Sequence, residues 1–335
     1  MNRPPEEYIL VQEERLLAFA SACYREAGLD REHAAVISRL LVNSDLRGVR
    51  SHGTRNVNGY CRAFEELHLN PRPEIKPVRQ TPTATVLDGD GTLGYLPMVR
   101  AAEAAIAKAR EVGMGMGLAR GIGHYGSAGH YARMCMEAGC VGFSVQGYLD
   151  QGNAAGAAEK PQVGYFGNPP ICFALPSQDE APVVLDAATR ILADYQTGPE
   201  YDAMLEQIPA AFFKSMGYTA VASLLGGGLT GFTQPESLAT LERWPGARMG
   251  GMVLAIRVES VVPEAVFRGE VDRMVRDVDR TYAPMPGNDR ARLPGAVEEE
   301  TLERQRREGI RYGEAEQAAA RQAGERLGVE LPWDE

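Results

Sequence analysis

No run of about 18 apolar residues occurs in this 335-residue chain, so no transmembrane helix is expected. The first residues, Met1-Asn2-Arg3-Pro4-Pro5-Glu6-Glu7, lack the apolar centre of a signal peptide, and a cytoplasmic location is expected. Basic charge is also short. Lysine and arginine total 35 against 45 acidic residues, a net charge of −10, which disfavours a nucleic-acid partner because polyphosphate demands a basic face. A small anion in a locally basic pocket is still compatible with that balance. The five cysteines, Cys23, Cys61, Cys135, Cys140 and Cys172, are odd in number and form no Cys-x-x-Cys pair, which argues against a disulfide framework or a zinc ribbon and for reduced, buried thiols. The five histidines, His33, His52, His68, His124 and His130, show no His-Glu-x-x-His or His-x-His spacing, and no metal site is expected. Gly-x-Ser-x-Gly elbows and Walker loops are missing too.

What is present reads as an α/β protein. Helices are expected from Glu6 to Ala27, from Asp30 (as N-cap) through Leu41, and from Arg55 to Glu66; Pro71, Pro73 and Pro77 then force extended chain. The middle alternates strand and helix: Thr83–Gly91, Pro97–Val112, Met114–Arg120, Ser127–Ala138 and Cys140–Gln146. Gln151–Gln162 reads as a loop, followed by strands at Ile171–Leu175 and Pro182–Asp186, a helix at Ala210–Leu225 and a strand at Met249–Val258. Charged helices close the chain at Pro263–Tyr282, Glu298–Glu308 and Gly313–Leu327, and the helices at the two chain ends are expected to pack together.

Three segments can carry chemistry. Ser51-His52-Gly53 places a histidine, able to give or take a proton near neutral pH, beside a serine and close to Arg47, Arg50 and Arg55, whose guanidiniums can grip a carboxylate. The bland alternative is a solvated loop. Arg120-Gly121-Ile122-Gly123-His124-Tyr125-Gly126-Ser127-Ala128-Gly129 lies between a strand and a helix and satisfies Gly-x-Gly-x-x-Gly, but no acid ends the next strand as a dinucleotide fold requires; it is either a phosphate cradle or a structural turn. Asp186, at the end of Val183-Val184-Leu185, either faces a ligand, orienting His52 if the two are adjacent, or caps a helix. A hydrolase built on Ser51, His52 and Asp186 is disfavoured, since a serine adjacent to its base in sequence points away from it in most backbones.

Taken together, Asp45-Leu46-Arg47-Gly48-Val49-Arg50-Ser51-His52-Gly53, Leu87-Asp88-Gly89-Asp90-Gly91-Thr92-Leu93-Gly94, Gly123–Gly129, Gly167-Asn168-Pro169-Pro170-Ile171, Leu185-Asp186-Ala187-Ala188-Thr189, Lys214-Ser215-Met216-Gly217 and Arg292-Leu293-Pro294-Gly295 resemble, in order, the malate/L-lactate dehydrogenase family of non-Rossmann type. The resemblance implies a mixed, largely antiparallel sheet around the cofactor (residues 76–259) and a helical dimerisation unit from residues 1–75 and 260–335, in a homodimer. It implies an NADH- or NADPH-dependent oxidoreductase acting on 2-keto acids, 2-hydroxy acids or cyclic imino acids. By matching motif, Ser51, His52 and Asp186 form the proton relay. His124, Tyr125, Gly126, Ser127, Ala128, Thr189 and Arg190 line the cofactor, and Arg47, Arg55 and Tyr60 meet a small carboxylate-bearing substrate. His124 competes with His52 as acid/base. Arg120 and Arg190 are cations suited to the extra phosphate of NADPH.

Four departures stand out. Asn56 replaces the family's usual arginine, shifting carboxylate recognition to Arg55. Asn168 takes the place of a threonine, and Arg190 that of a serine. The stretch from Asp186 to Lys214 is short, with Phe212-Phe213 in place of a glycine pair. This last departure motivates a rival reading, a scaffold that has lost dehydrogenase chemistry and binds a ligand or partner.

Overall fold

The computed structural model describes residues 4–148, 168–192 and 198–333. The expected loop at Gln151–Gln162 and Gly167 of the glycine-asparagine-proline motif lie outside them. The strands are β1 (Tyr8–Val11), β2 (Lys76–Gln80), β3 (Ala84–Asp88), β4 (Met114–Ile122), β5 (Cys140–Tyr148), β6 (Pro170–Leu175), β7 (Val183–Ala188), β8 (Met249–Arg257) and β9 (Ile310–Gly313). The helices are α1 (Glu13–Glu26), α2 (Arg31–Leu46), α3 (Val57–Glu65), α4 (Tyr95–Val112), α5 (Gly129–Glu137), α6 (Pro199–Gln207), α7 (Pro209–Gly226), α8 (Pro235–Arg243), α9 (Glu264–Thr281), α10 (Ala296–Glu308) and α11 (Glu314–Leu327).

Seven strands form one sheet in the order β2-β3-β4-β8-β5-β6-β7. Only β3 and β4 pair in parallel among the described residues, joined by α4 as the crossover that parallel pairing requires; the other neighbours are antiparallel. The Met-Gly-Met-Gly run of β4 has a packing reason. A Cβ on Gly117 would sit 1.9 Å from the Ala101 carbonyl oxygen, and one on Gly115 would sit 2.1 Å from that of Ala105. Glycine on the strand and alanine on α4 let helix and sheet approach backbone to backbone. Gly142 does the same on β5, where a Cβ would meet the Ala132 carbonyl at 2.2 Å and displace α5.

The expected helix from Glu6 is corrected at its start. Tyr8–Val11 is a strand paired antiparallel with Ile310–Gly313, and α1 begins only at Glu13. Partners about 300 positions apart leave no local periodicity to read. Likewise β9 takes the segment just before the last helix, and α6 and α8 form where no helix was expected. Both ends of the chain join one core: Leu16 and Phe19 of α1, Ile37 and Leu41 of α2, Tyr312 and Ala320 near the C-terminus, and Tyr95, Met98 and Tyr131 beside the sheet are all buried in it.

Candidate active site

The Asp45–Thr54 segment is shaped by what holds it. Asp45 is fully enclosed, and its carboxylate accepts hydrogen bonds from the Thr54 amide at 2.8 Å and hydroxyl at 2.5 Å. Burial pushes Asp45 up to about 7 against those bonds. The Thr54 hydroxyl also meets Tyr312 Oη at 2.9 Å. Arg50 is paired with buried Glu316, and Gln305 donates to the carbonyls of Asp45 and Leu46 at 2.8 and 3.0 Å. The C-terminal helices thus clamp the loop that carries Ser51 and His52.

That loop is a 3-10 turn, Arg50–His52, and it overturns one expectation. Adjacent side chains converge here: Ser51 Oγ lies 2.9 Å from His52 Nδ1. His52 lines a cavity of about 580 Å³ with Ser51, His124, Asp186, His130 and Arg133. Its ring stacks on that of His124, with centroids 5.6 Å apart and planes at 27°. Burial lowers the His52 pKa, and the negative charge of Asp186 opposes that fall.

Asp186 is tied to α5 and also faces the cavity. Its Oδ2 accepts from the Gly129 amide at 2.8 Å and from Ser127 Oγ at 2.5 Å, holding the first turn of α5. It also faces the cavity, where it acts on His52 through its charge. The glycine-rich turn before α5 is therefore structural at several of its amides: the Gly129 amide is taken by Asp186, the Tyr125 amide by Gln146 Oε1 at 3.4 Å, and the Gly123 amide by the Thr92 carbonyl at 2.8 Å. Gly126 lies in the left-handed region at φ 82°, and a Cβ there would collide with Tyr95.

His124 is bound differently from His52. Its Nδ1 meets Tyr60 Oη at 2.7 Å, and burial together with the neighbouring His52 drives its pKa down to about 3. Both effects favour its neutral form. Burial pushes Tyr60 up to about 12, so its hydroxyl keeps the proton; which of the two groups donates in this bond depends on the imidazole tautomer.

Several expected contacts fall elsewhere. Arg55 is exposed and does not line the cavity. Arg47 lines it, held by Glu299 at 2.5 Å. Arg120 is turned to Asp88 and Glu236, away from the cavity, whereas Arg190 lines it. Tyr125, Gly126 and Thr189 stand behind the wall that Ser127, Ala128, Gly129, Ala187 and Ala188 form. Asn168 has its own use: its Oδ1 accepts from the Arg190 amide at 3.1 Å, while Thr189 Oγ1 donates to the Pro169 carbonyl at 2.7 Å. Phe212 is buried and Phe213 is 71% exposed, so the pair does not enter the cavity.

Reading the sequence missed several cavity residues, two of them able to carry charge or a proton. His130 and Arg133, one turn apart on α5, both face the cavity, and their i, i+3 spacing was the available signal. His130 Nε2 lies 3.2 Å from Ser44 Oγ, and burial drives its pKa down to about 3.

A half-buried imidazole pair, a fixed carboxylate and a wall of small residues form an arrangement capable of acid–base chemistry. Similarity to known proteins narrows the class. A sequence model of the malate/L-lactate dehydrogenase family matches residues 11–197, more than half of the chain, and the protein belongs to that family. A malate dehydrogenase of Pyrococcus horikoshii is 35% identical over 187 residues, 56% of this chain and 51% of that one. One from Pyrococcus abyssi is 26% identical across 82% of this chain and 83% of its own length, and an Escherichia coli ureidoglycolate dehydrogenase (NAD(+)) is 26% identical across 81% and 83%. The structure of Pyrococcus horikoshii malate dehydrogenase superposes with a TM-score of 0.80 over 98% of both chains, at 25% identity. The Entamoeba histolytica malate dehydrogenase, 22% identical with a TM-score of 0.81, shares the fold.

Proposed function

We propose that this protein is a nicotinamide-dependent oxidoreductase. It interconverts a 2-hydroxy acid and the 2-oxo acid, or reduces a cyclic imino acid, with His52 moving the proton. Membership of a dehydrogenase family supports the reaction class. The observation that carries the mechanism is the contact of Ser51 Oγ with His52 Nδ1 inside the cavity, beside Asp186.

The cavity wall fits the cofactor. Ala128, Gly129, Ala187 and Ala188 present nothing larger than a methyl group, so a planar ring can lie against them facing the two imidazoles. His124, Ser127, Ala128 and Arg190 would hold it, with Tyr125, Gly126 and Thr189 supporting that wall. A nicotinamide bound here supplies hydride from C4 to the carbonyl or imine carbon, or accepts it in the reverse direction. Both NADH and NADPH suit the reading; Arg190 is the cavity cation available to an extra phosphate.

In oxidation, His52 Nε2 takes the hydroxyl proton while Nδ1–H donates to Ser51 Oγ; in reduction the imidazolium returns it. Asp186 stabilises the imidazolium without a direct bond to it. His124 is given a different part, because burial and the neighbouring His52 disfavour its charged form. It donates a hydrogen bond through Nε2 to the substrate oxygen, with Nδ1 committed to Tyr60. Replacing His52 with alanine is expected to cut turnover at least about 100-fold on an acid that the wild type reduces. Unchanged turnover would remove His52 from the chemistry.

We further propose a homodimer, a helical unit from residues 1–75 and 260–335, and a cytoplasmic location. Among the described residues no helix is long and apolar enough to cross a membrane.

A further inference from the structure

Asn56 closes the short turn Thr54–Asn56 and stands at the N-cap position of α3. An asparagine there ordinarily accepts a hydrogen bond from the first amides of the helix. This one makes no such bond. Its side chain reaches back, with Nδ2 3.0 Å from the Ser51 carbonyl and 3.0 Å from the Gly53 carbonyl. Both partners are acceptors, so only the NH2 end of the amide can face them. One donor group thus grips the backbone one residue before and one residue after His52.

The other supports of this segment act elsewhere. Asp45 takes the Thr54 amide and hydroxyl, Gln305 donates to the carbonyls of Asp45 and Leu46, and Glu316 pairs with the Arg50 side chain. The Gly53 carbonyl also accepts from the Asn56 amide at 3.1 Å, and the His52 amide donates to the Val49 carbonyl at 3.0 Å. With Nδ2 on the Ser51 carbonyl, the peptide that joins Ser51 to His52 is therefore held at both ends. That peptide decides whether the two neighbouring side chains converge, and here Ser51 Oγ reaches His52 Nδ1 at 2.9 Å. The helix α3, which starts at the next residue, carries Tyr60, whose hydroxyl meets His124 Nδ1 at 2.7 Å. Asn56 stands where the turn of one imidazole joins the helix that supports the other. It is half-buried and does not line the cavity, so any part it has in the chemistry is indirect.

We propose that Asn56 is a positioning residue, which holds the turn in which Ser51 meets His52 and so sets the imidazole for proton transfer. The inference rests on the oxidoreductase reading above. The test uses Asn56→Ala, which removes the grip, and Asn56→Ser, which keeps a shorter donor and covers the case in which N56A does not fold. Kinetics on an acid that the wild type turns over are measured for each variant with Ser51 present and in a Ser51→Ala background. N56A is expected to lower kcat at least about 10-fold, the scale of a misplaced reacting group, and to change KM for the acid less than about 2-fold. In S51A the same change should cost less than about 3-fold, because the contact that Asn56 protects is already gone. An equal cost in both backgrounds overturns the proposal. So does a raised KM with kcat unchanged, which would make Asn56 a substrate contact.

A second readout needs no turnover. In protein labelled with 15N in the histidine rings, with the His52 signals assigned through His52→Gln, N56A and N56S are expected to change the balance between the two imidazole tautomers of His52. Unchanged His52 signals in both variants overturn the proposal whatever the kinetics show. A changed balance in a protein that turns over no acid supports the positioning while the oxidoreductase reading fails.

Discussion

Adding one methyl group at Gly53 strikes the support of His52 directly. A Cβ there would lie 1.7 Å from Asp45 Oδ1 and 2.4 Å from its Cγ. The backbone of Gly53 is extended, at φ −89°, so the demand for glycine is steric rather than conformational. Neither party yields cheaply. Gly53 is held in the turn next to His52, and Asp45 is buried 3% exposed with its carboxylate on the Thr54 amide and hydroxyl. Gly53→Ala must break both bonds or displace the loop. Each hydrogen bond to such a group contributes about 1.5–3 kcal/mol, so a destabilisation of about 3–5 kcal/mol is expected. Urea unfolding measures it, and a double-mutant cycle attributes it. In an Asp45→Ala background, where the clashing carboxylate is gone, Gly53→Ala should cost less than about 1 kcal/mol. Additive costs in the cycle, or a single-variant effect within about 0.5 kcal/mol, would refute the steric argument.

Further outcomes follow from the same contacts. Removing the charge in Asp186→Asn leaves burial unopposed at His52, so its pKa falls further below the ordinary 6.5; the acid limb of kcat/KM for hydroxy-acid oxidation should move to lower pH, and a move to higher pH would contradict the role of Asp186. His124 and His130, held to about 3 in the fold against about 6.5 unfolded, contribute stability that is complete above about pH 6.5 and is lost as pH falls toward 3. Asp45, raised to about 7, has the opposite sign, stabilising below about pH 4 and losing that as pH rises to about 7. His52, also lowered by burial, adds to the two histidines, so stability should rise with pH between about pH 4.5 and 6, which urea midpoints should show and His130→Gln should flatten. Gln305→Leu removes the bonds to the Asp45 and Leu46 carbonyls and to the Arg311 amide at 2.7 Å, and should cost about 3 kcal/mol by urea unfolding.

Much of the site was legible because its chemistry is local. Ser51 and His52 sit in one short run, and Asp186 ends an apolar strand followed by small residues, so each could be singled out before any fold was known. What the residues do to one another was not legible. That adjacent Ser51 and His52 meet depends on a 3-10 turn, and Asp186 serves both α5 and His52 because β7 ends beside that helix. His130 and Arg133 were visible only as a helical face without a direction, since which face turns inward is decided by β5 and its glycine. That Arg55 is exposed and outside the cavity lining was not legible either, because spacing in sequence says nothing about which side of a turn meets solvent. The strand pair β1 and β9 was hidden for the same reason: its partners come from opposite ends of the chain, and each alone is too short to declare itself.

The central claim is that this cavity takes a nicotinamide cofactor despite the short stretch between Asp186 and Lys214. Calorimetric titration of the purified protein with NADH and with NADPH tests it most directly. The account predicts micromolar binding of at least one of them. Absence of binding by both up to millimolar concentration would contradict it and leave a family fold that serves some other ligand.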